Sequence, residues 1–185
     1  MKQPAILLTV SLLCFSGALA GQEVSMGVEA GYFHPHGLDL RSIYGSGAQI
    51  GADVSIQVAT DFFLLGGGRL FRKAGHLSFT RETINLSLLA NCLGLGYRKP
   101  FGRRWQLFAA GGVSLNMFRE SAPLAAAQKN RIGYWGQAGV SLRLLKWIAV
   151  EAKCLYQYCS MEFDYTEVDL SGLSAMVGIR FVVKD

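Results

Sequence analysis

Apolar and polar residues alternate along most of this chain. In residues 48–58 (AQIGADVSIQV), every even-numbered position is apolar and every odd-numbered position is polar or Gly. Successive side chains of a β-strand point to opposite faces, so this segment is predicted to form a strand with one apolar and one polar face. The same period recurs along the chain, and no segment after residue 20 shows a comparably clear helical period.

The alternation predicts eight strands. The pattern is weakest in the third strand, which contains FFLLGGGRLF and is apolar or Gly on both faces apart from Arg69. In the other strands the polar face consists mainly of Ser, Gly, Gln and Asn, with a single charge or a pair of charges. The predicted strands are 24–33, 47–58, 62–72, 82–98, 104–118, 132–144, 147–159 and 168–183.

The connections between these strands alternate in length. Short turns at one end and long loops at the other are typical of an up-and-down membrane barrel, in which the turns are periplasmic and the loops extracellular. An even number of strands also places both termini at the periplasmic end. The short connections are 59–61, 99–103 and 145–146, and the long ones are 34–46, 73–81, 119–131 and 160–167.

Composition indicates which face meets lipid. A soluble, lipocalin-like barrel would turn a charged face to water, but charged residues make up only 17% of this chain. The chain is therefore predicted to be all-β, an eight-stranded antiparallel up-and-down transmembrane β-barrel. A secreted soluble barrel that binds a small apolar ligand remains the alternative. The apolar face also carries aromatic residues near strand ends, as interfacial girdles do: Tyr32, Trp105, Tyr134, Trp147, Tyr156, Tyr158 and Phe181.

The first twenty residues have the features of an export signal. Lys2 is followed by an apolar run at 5–15 that is too short to span a bilayer, and Ala18-Leu19-Ala20 forms an A-x-A cleavage site. We expect residues 1–20 to be a signal peptide and residues 21–185 to form one outer-membrane barrel domain.

Charge and cysteine content exclude two other classes of protein. The formal net charge of +5 is scattered along the chain, so nucleic acid is not an expected partner. Contact with anionic lipid head groups is a better interpretation of the basic residues, and an ordinary solvated surface is better still. Beyond residue 20 there are three cysteines, Cys92, Cys154 and Cys159. An odd number leaves one thiol unpaired, and two positions five apart on a strand face opposite ways, so we do not expect a disulfide scaffold. Cys92 and Cys154 are interpreted as small apolar side chains, and a Cys154–Cys159 bridge would require the strand to have ended.

The polar face is interpreted as a confined, hydrogen-bonded lumen. An eight-stranded barrel is just wide enough for its own side chains, so a general diffusion pore is not expected. Charges of both signs can pair there and plug the lumen, because unpaired charges would be costly. The charged residues predicted to face inward are Glu29, Asp53, Arg69, Arg143, Glu151, Lys153 and Arg180.

Closure of the barrel requires the first strand to pair with the eighth. Glu29 and Arg180 both lie in the periplasmic halves of these strands, so we predict a buried ion pair between them across the seam. The register is not visible in the sequence, and Arg143 and Lys153 remain alternative partners of Glu29.

Enzymatic and metal sites are not expected. His34, His36 and His76 fall in predicted loops, no G-x-S-x-G elbow accompanies them, and His34-Pro35-His36 has no cysteine or carboxylate cluster beside it. The glycine triplet 66–68 is not followed by Lys-Ser/Thr, so it marks a bend or a close approach of strands rather than a phosphate loop. We assign no catalytic, cofactor-binding or metal-binding residue, and a lipid-modifying enzyme is kept as a further alternative.

Two local segments add a resemblance to a known family. Residues 41–45 (RSIYG) are similar to a segment of predicted outer-membrane barrels, and 178–183 (GIRFVV) resembles the C-terminal assembly signal of such proteins. Over residues 21–185 the chain resembles the small eight-stranded outer-membrane β-barrel family, of the OmpA/OmpX or porin-like type. The resemblance implies insertion by the outer-membrane assembly machinery, but it does not imply one particular activity. We expect a monomer among outer-membrane lipids and lipopolysaccharide, with a structural or adhesive role carried by the loops.

Overall fold

The computed structural model describes residues 23–76, 83–121, 126–163 and 166–183. The predicted signal peptide lies outside these residues. The described chain forms ten strands and one short helix, and among these residues no helix is long and apolar enough to cross a membrane. In chain order the elements are β1 (Val24–Pro35), α1 (Leu38–Ile43), β2 (Gly47–Gln57), β3 (Phe62–His76), β4 (Thr83–Pro100), β5 (Trp105–Ser121), β6 (Ala126–Arg143), β7 (Ile148–Tyr158), β8 (Ser160–Phe163), β9 (Thr166–Asp169) and β10 (Gly172–Val183).

Eight of the strands form a closed antiparallel barrel in the order β1-β10-β7-β6-β5-β4-β3-β2. Closure is made by β1, which pairs with β10 on one side and with β2 on the other. The eight barrel strands match the eight predicted from the alternation, and the predicted closure of the first strand on the last is confirmed. We call the end at which β1 begins and β10 ends the turn end, and the opposite end the loop end.

The structure differs from the sequence prediction at the loop end. Strands β3, β5 and β6 extend several residues into the predicted loops 73–81 and 119–131. The outward side chains there are polar or small, as where Arg119 lies opposite Gln128, so the hydrophobic period stops before the backbone pairing does. The prediction also missed α1 and the β8–β9 hairpin, which are too short to show a period of their own.

Large apolar side chains cover the outside of the barrel, and we call this surface the apolar band. It is bordered by aromatic side chains near both ends of the barrel, as predicted. Exposed aromatic residues towards the loop end are Tyr32, Tyr134, Tyr156 and Tyr158, and those towards the turn end are Phe62, Tyr97, Phe101, Trp105, Trp147 and Phe181. Exposed apolar residues between them include Met26, Val28, Ile50, Val54, Leu64, Leu93, Leu95, Leu107, Val113, Leu115, Val150, Val177 and Ile179. A soluble barrel would place this face inward, so that alternative does not fit the structure.

The interior is less polar than expected. Towards the loop end, Phe33, Phe71 and Phe118 pack with Leu40 of α1 and with Met161 of β8 in a buried apolar cluster, which we call the upper cluster. A second buried cluster lines the wall formed by β3 to β7 and is called the wall cluster. It comprises Phe63, Leu65, Ala90, Cys92, Phe108, Trp135 and Leu155. Sequence alternation missed both clusters because the inward face of β3 and β4 is itself apolar.

Candidate functional site

The centre of the lumen holds six buried charged side chains, which we call the lumen network. Arg180 of β10 lies between two acidic residues. Its Nη2 donates to Asp53 Oδ1 over 2.7 Å, and its Nε donates to Glu151 Oε1 over 2.7 Å. All three side chains are buried. Two charge-assisted contacts from one guanidinium fix its orientation as well as neutralise its charge.

Lys153 of β7 and Arg69 of β3 extend the network. The Lys153 Nζ donates to Asp53 Oδ2 over 3.2 Å and also contacts the Glu29 carboxylate. Glu29 Oε1 in turn accepts from Arg69 Nε over 3.1 Å. The result is an unbroken chain of alternating charge that balances three basic groups against three acidic ones. Its order is Glu151, Arg180, Asp53, Lys153, Glu29 and Arg69.

Neutral polar groups accept further hydrogen bonds from the two arginines. Arg180 Nη1 donates to Ser25 Oγ over 3.2 Å and to Ser55 Oγ over 3.3 Å. Arg69 Nη2 donates to Gln137 Oε1 over 2.9 Å, and Arg69 Nη1 to Cys92 Sγ over 3.0 Å. Buried charges are tolerated only when they are paired and hydrogen-bonded in this way.

Arg69 also joins the network to the wall cluster. Its guanidinium carbon lies 5.4 Å from the centre of the Trp135 ring. The Trp135 Nε1 donates to the Val113 carbonyl oxygen over 3.0 Å, which holds the ring in place. A cation over an indole face is attracted by the ring quadrupole. Arg69 is therefore stabilised both by the carboxylate of Glu29 and by the ring of Trp135.

The predicted ion pair between Glu29 and Arg180 is wrong. In the register of the seam, Glu29 lies opposite Gly178, and Arg180 lies opposite Gly27, one inward position nearer the turn end. Lys153, one of the two alternatives, is a partner of Glu29, and Arg69 is the other partner.

Of the seven charged residues predicted to face inward, six belong to the lumen network and one does not. The exception is Arg143, which is half-buried at the turn end and takes no part in the network. The sequence reasoning overlooked Gly27. A Cβ atom at this position would lie 3.0 Å from Asp53 Oδ1 and 3.3 Å from Arg180 Nη2. A glycine on the inward face of a strand was the available signal that another side chain needs the space.

The described cysteines are all free. Cys154 is exposed on the outer face and Cys159 is buried in the upper cluster, which confirms that the two side chains point to opposite faces. Cys92 is buried in the wall cluster, as an apolar side chain would be, but it also accepts the hydrogen bond from Arg69.

The loop end is closed over the upper cluster by α1 and by the segments that flank the β8–β9 hairpin. Backbone hydrogen bonds hold these segments to the barrel, from His36 N to Ser171 O over 2.8 Å and from Leu170 N to Cys159 O over 2.8 Å. Tyr44, which follows α1, is buried beneath this cap. Its burial, with the nearby Glu120 carboxylate, raises the pKa of the Tyr44 phenol above its ordinary value, so the cap contains a neutral phenol.

The histidines lie closer to strands than the sequence suggested. His34 belongs to β1 and His76 to β3, so their prediction as loop residues is wrong, while His36 directly follows β1. The side chain of His76 is outside the described part. His34 Nδ1 forms a hydrogen bond of 2.6 Å with Ser46 Oγ, and Ser46 is a residue that the sequence reasoning did not single out.

The surroundings of the His34–Ser46 pair can be compared with those of a hydrolytic site. A nucleophile and its base are normally oriented by a third polar group. Within the described residues no carboxylate forms a hydrogen bond with the His34 ring. The same part of the chain contains no group of three or more His, Cys, Asp or Glu side chains that could hold a metal ion.

The glycine triplet lies within β3 and does not form a phosphate-binding loop. A Cβ atom on Gly67 would lie 2.6 Å from the Ala52 carbonyl oxygen on β2. The predicted close approach of neighbouring strands is therefore confirmed at this glycine.

Comparisons with known proteins identify the fold. No family model and no curated protein matches the chain. Among solved structures, the outer membrane protein OprG from Pseudomonas aeruginosa is 16% identical with a TM-score of 0.68, covering 90% of this chain and 97% of that one. Neisserial surface protein A (NspA) is 15% identical with a TM-score of 0.60, covering 88% and 97%. A major outer membrane protein from Thermus thermophilus is 13% identical with a TM-score of 0.58, covering 89% and 100%. Together with the closed eight-stranded sheet, these likenesses show that the chain has the fold of the small eight-stranded outer-membrane β-barrels.

Proposed function

We propose that this protein is a monomeric outer-membrane barrel with an occluded lumen, whose role is structural or adhesive and is carried by the loop end. The observation that carries the proposal is the lumen network. It crosses the middle of the barrel with buried, paired side chains, where an ion path would need hydrated and accessible ones. The upper cluster adds a second, apolar obstruction between the network and the loop end.

The location in the outer membrane is supported by the apolar band and its two aromatic borders. A face of this composition is stable against lipid and unfavourable against water. With the turn end facing the periplasm, the loop end faces outwards. Anchorage by this band and insertion by the outer-membrane assembly machinery complete the proposal.

Conductance tests the occlusion. The reconstituted protein should give no large, steady openings in a planar bilayer, because side chains occupy the lumen. A variant that removes both arginines of the network, Arg69→Ser with Arg180→Ser, should also give no large openings, because the upper cluster still obstructs the lumen. Stable openings of porin size in the unaltered protein would contradict the occluded lumen.

The loop end offers a surface for contact with a partner. Leu38 at the start of α1 is 82% exposed and Arg41, one turn later, is also exposed. An apolar side chain beside a cation, held outside the apolar band, is suited to contact with another surface. Cells that display the barrel should adhere to an epithelial monolayer more than cells that display the Leu38→Ser/Arg41→Ser variant at equal surface density. Equal adhesion by the two kinds of cell would contradict the adhesive role, and only the structural role would remain proposed.

The proposed role is not enzymatic, although His34 and Ser46 are in contact. The unaltered protein should release no fatty acid from phospholipid or lipid A vesicles. Release that disappears in both Ser46→Ala and His34→Ala would instead establish a lipid-modifying enzyme.

A further inference from the structure

The outer wall of the barrel has a basic pocket at its loop end. The pocket has a volume of about 390 Å³ and is lined by three strand segments, at 72–74 in β3, 85–87 in β4 and around Arg119 and Ser121 in β5. Side chains alternate between the two faces of a strand. Leu86 is buried in the upper cluster, so its neighbours Asn85 and Ser87 point outward.

Cross-strand register places the polar groups of this pocket in one row. Arg72 lies opposite Ser87 on β4, and Ser87 lies opposite Arg119 on β5. Adjacent strands are spaced by a little under 5 Å, so the two arginine backbones are about 10 Å apart with a hydroxyl group between them. Two long guanidinium side chains at this separation can converge on one anionic group. The amide of Asn85 and the hydroxyl of Ser121 lie opposite each other in the next row.

Neither arginine is neutralised by its surroundings. Both are exposed, and within the described residues neither forms an ion pair with a carboxylate. The acidic neighbour of Arg119 in the chain, Glu120, belongs to the inward face and lies near Tyr44. As far as the described residues show, the pocket is therefore a cationic site on the outer face with no carboxylate partner.

The pocket lies at the border of the apolar band. One outward position closer to the middle of the barrel, the same three strands carry Leu70, Leu89 and Met117 in one row. The change from this apolar row to Arg72, Ser87 and Arg119 marks the height at which acyl chains give way to head groups. The anionic groups present at that height are those of lipids.

We propose that Arg72, Ser87 and Arg119 form a binding site for the phosphate of a phosphorylated glycolipid head group in the outer leaflet, of the lipopolysaccharide type. The planar guanidinium groups bind phosphate oxygens in pairs, and the hydroxyl and amide groups supply further donors. The site rests on the proposed outer-membrane location and deepens it, because it assigns one patch of the barrel wall to one class of lipid.

The test measures binding of a bisphosphorylated lipid A to the full chain purified in a neutral detergent. Each basic residue near an anionic lipid surface contributes enough to change affinity about fivefold, so Arg72→Gln/Arg119→Gln should bind about 30-fold more weakly. The control Arg103→Gln/Arg104→Gln removes the same charge from exposed residues at the turn end and should bind as the unaltered protein does. Lipid A from which both phosphates have been removed should bind weakly to both proteins. Its affinity for the unaltered protein should be about the same as its affinity for Arg72→Gln/Arg119→Gln.

Three results would overturn the site. They are undiminished binding by Arg72→Gln/Arg119→Gln, an equal loss in the turn-end control, and binding of inorganic phosphate that competes fully with the lipid. The shift in gel mobility on boiling identifies a closed barrel in every sample. If the unaltered protein shows no such shift and is recovered in the soluble fraction, the proposed outer-membrane function fails. If the shift is intact and lipid binding ignores the arginines, only this site fails.

Discussion

The ammonium group of Lys153 donates to the carboxylate of Asp53 over 3.2 Å, between strands that are not neighbours in the barrel. Lys153 lies on β7 and Asp53 on β2, and β10 and β1 lie between them. The contact therefore spans the seam at which the barrel closes. Arg180 bridges Asp53 to Glu151 on the same side, so the closing strands are joined by side chains as well as by backbone hydrogen bonds.

Breaking this pair of contacts should destabilise the barrel cooperatively. Asp53→Ala removes one acidic partner from each of the buried side chains of Arg180 and Lys153. The free energy of unfolding should therefore fall by about 3–5 kcal/mol. In a double-mutant cycle with Arg180→Ala, measured by unfolding in detergent, the two effects should deviate from additivity by about 1–3 kcal/mol.

The half-buried pair at the turn end provides the control. Arg98 Nη1 lies 3.5 Å from Glu23 Oε1, a longer contact than the 2.7 Å from Arg180 Nη2 to Asp53 Oδ1. Because it is a single and longer contact, a cycle on Glu23 and Arg98 should give a smaller coupling than the cycle on Asp53 and Arg180. Equal coupling in the two cycles would mean that the lumen network does not act as a unit.

Packing around one inward glycine gives a separate prediction. A Cβ atom on Gly96 would lie 2.2 Å from the Phe63 ring, whereas one on Gly136 would meet nothing closer than 4.0 Å. Gly96→Ala should therefore lower the free energy of unfolding by about 1–3 kcal/mol through overpacking, and Gly136→Ala should change it by less than about 0.5 kcal/mol. Equal effects of the two substitutions would show that Phe63 does not cover Gly96.

Closure of the barrel should be visible on a gel. A closed sheet has no free edge and resists mild detergent, so unboiled and boiled samples should migrate differently. Identical migration, together with recovery in a soluble fraction, would contradict a membrane barrel.

The thiol of Cys159 should be unreactive in the folded protein. Burial in the upper cluster raises its pKa from 9.0 to about 11, so at pH 8 the folded state holds about a hundredfold less thiolate than an unperturbed cysteine. Because the pKa of this acidic group is raised, the neutral thiol favours folding, and its contribution to stability is lost as the pH rises above 9. Labelling of Cys159 at pH 8, in a variant with Cys92 and Cys154 replaced by Ala, should be slow until denaturant is added. Rapid labelling of the folded protein would place Cys159 outside the upper cluster.

The strands could be predicted from the sequence because each has a face in contact with lipid, and this contact keeps its outward residues apolar. The period therefore predicts β1, β2 and β7 to within a few residues. The hydrophobic period does not predict where the strands end beyond the apolar band. There β5 and β6 remain paired although their outward residues are polar, as where Arg119 lies opposite Gln128.

The sequence predicted the residues that form the lumen network, but it did not predict which of them contact each other. Charges of both signs on the polar face predicted seven inward residues, of which six form the network and one, Arg143, does not. Partners depend on register, and a shift of two positions along β10 is enough to move Arg180 from Glu29 to Asp53. The alternation pattern is unchanged by such a shift, so the alternation alone does not identify the partners, and the inward Gly27 is the one local signal.

The central claim is that the apolar band faces lipid and that the lumen network lies inside. Three tryptophans test it directly, because Trp105 and Trp147 are exposed on the outer wall and Trp135 is buried against Arg69. Variants that retain one tryptophan each can be reconstituted with lipids brominated near the head-group end of the acyl chain, and their fluorescence compared. Strong quenching of Trp105 and Trp147 with weak quenching of Trp135 is the predicted result, and equal quenching of all three, or strongest quenching of Trp135, would contradict the claim.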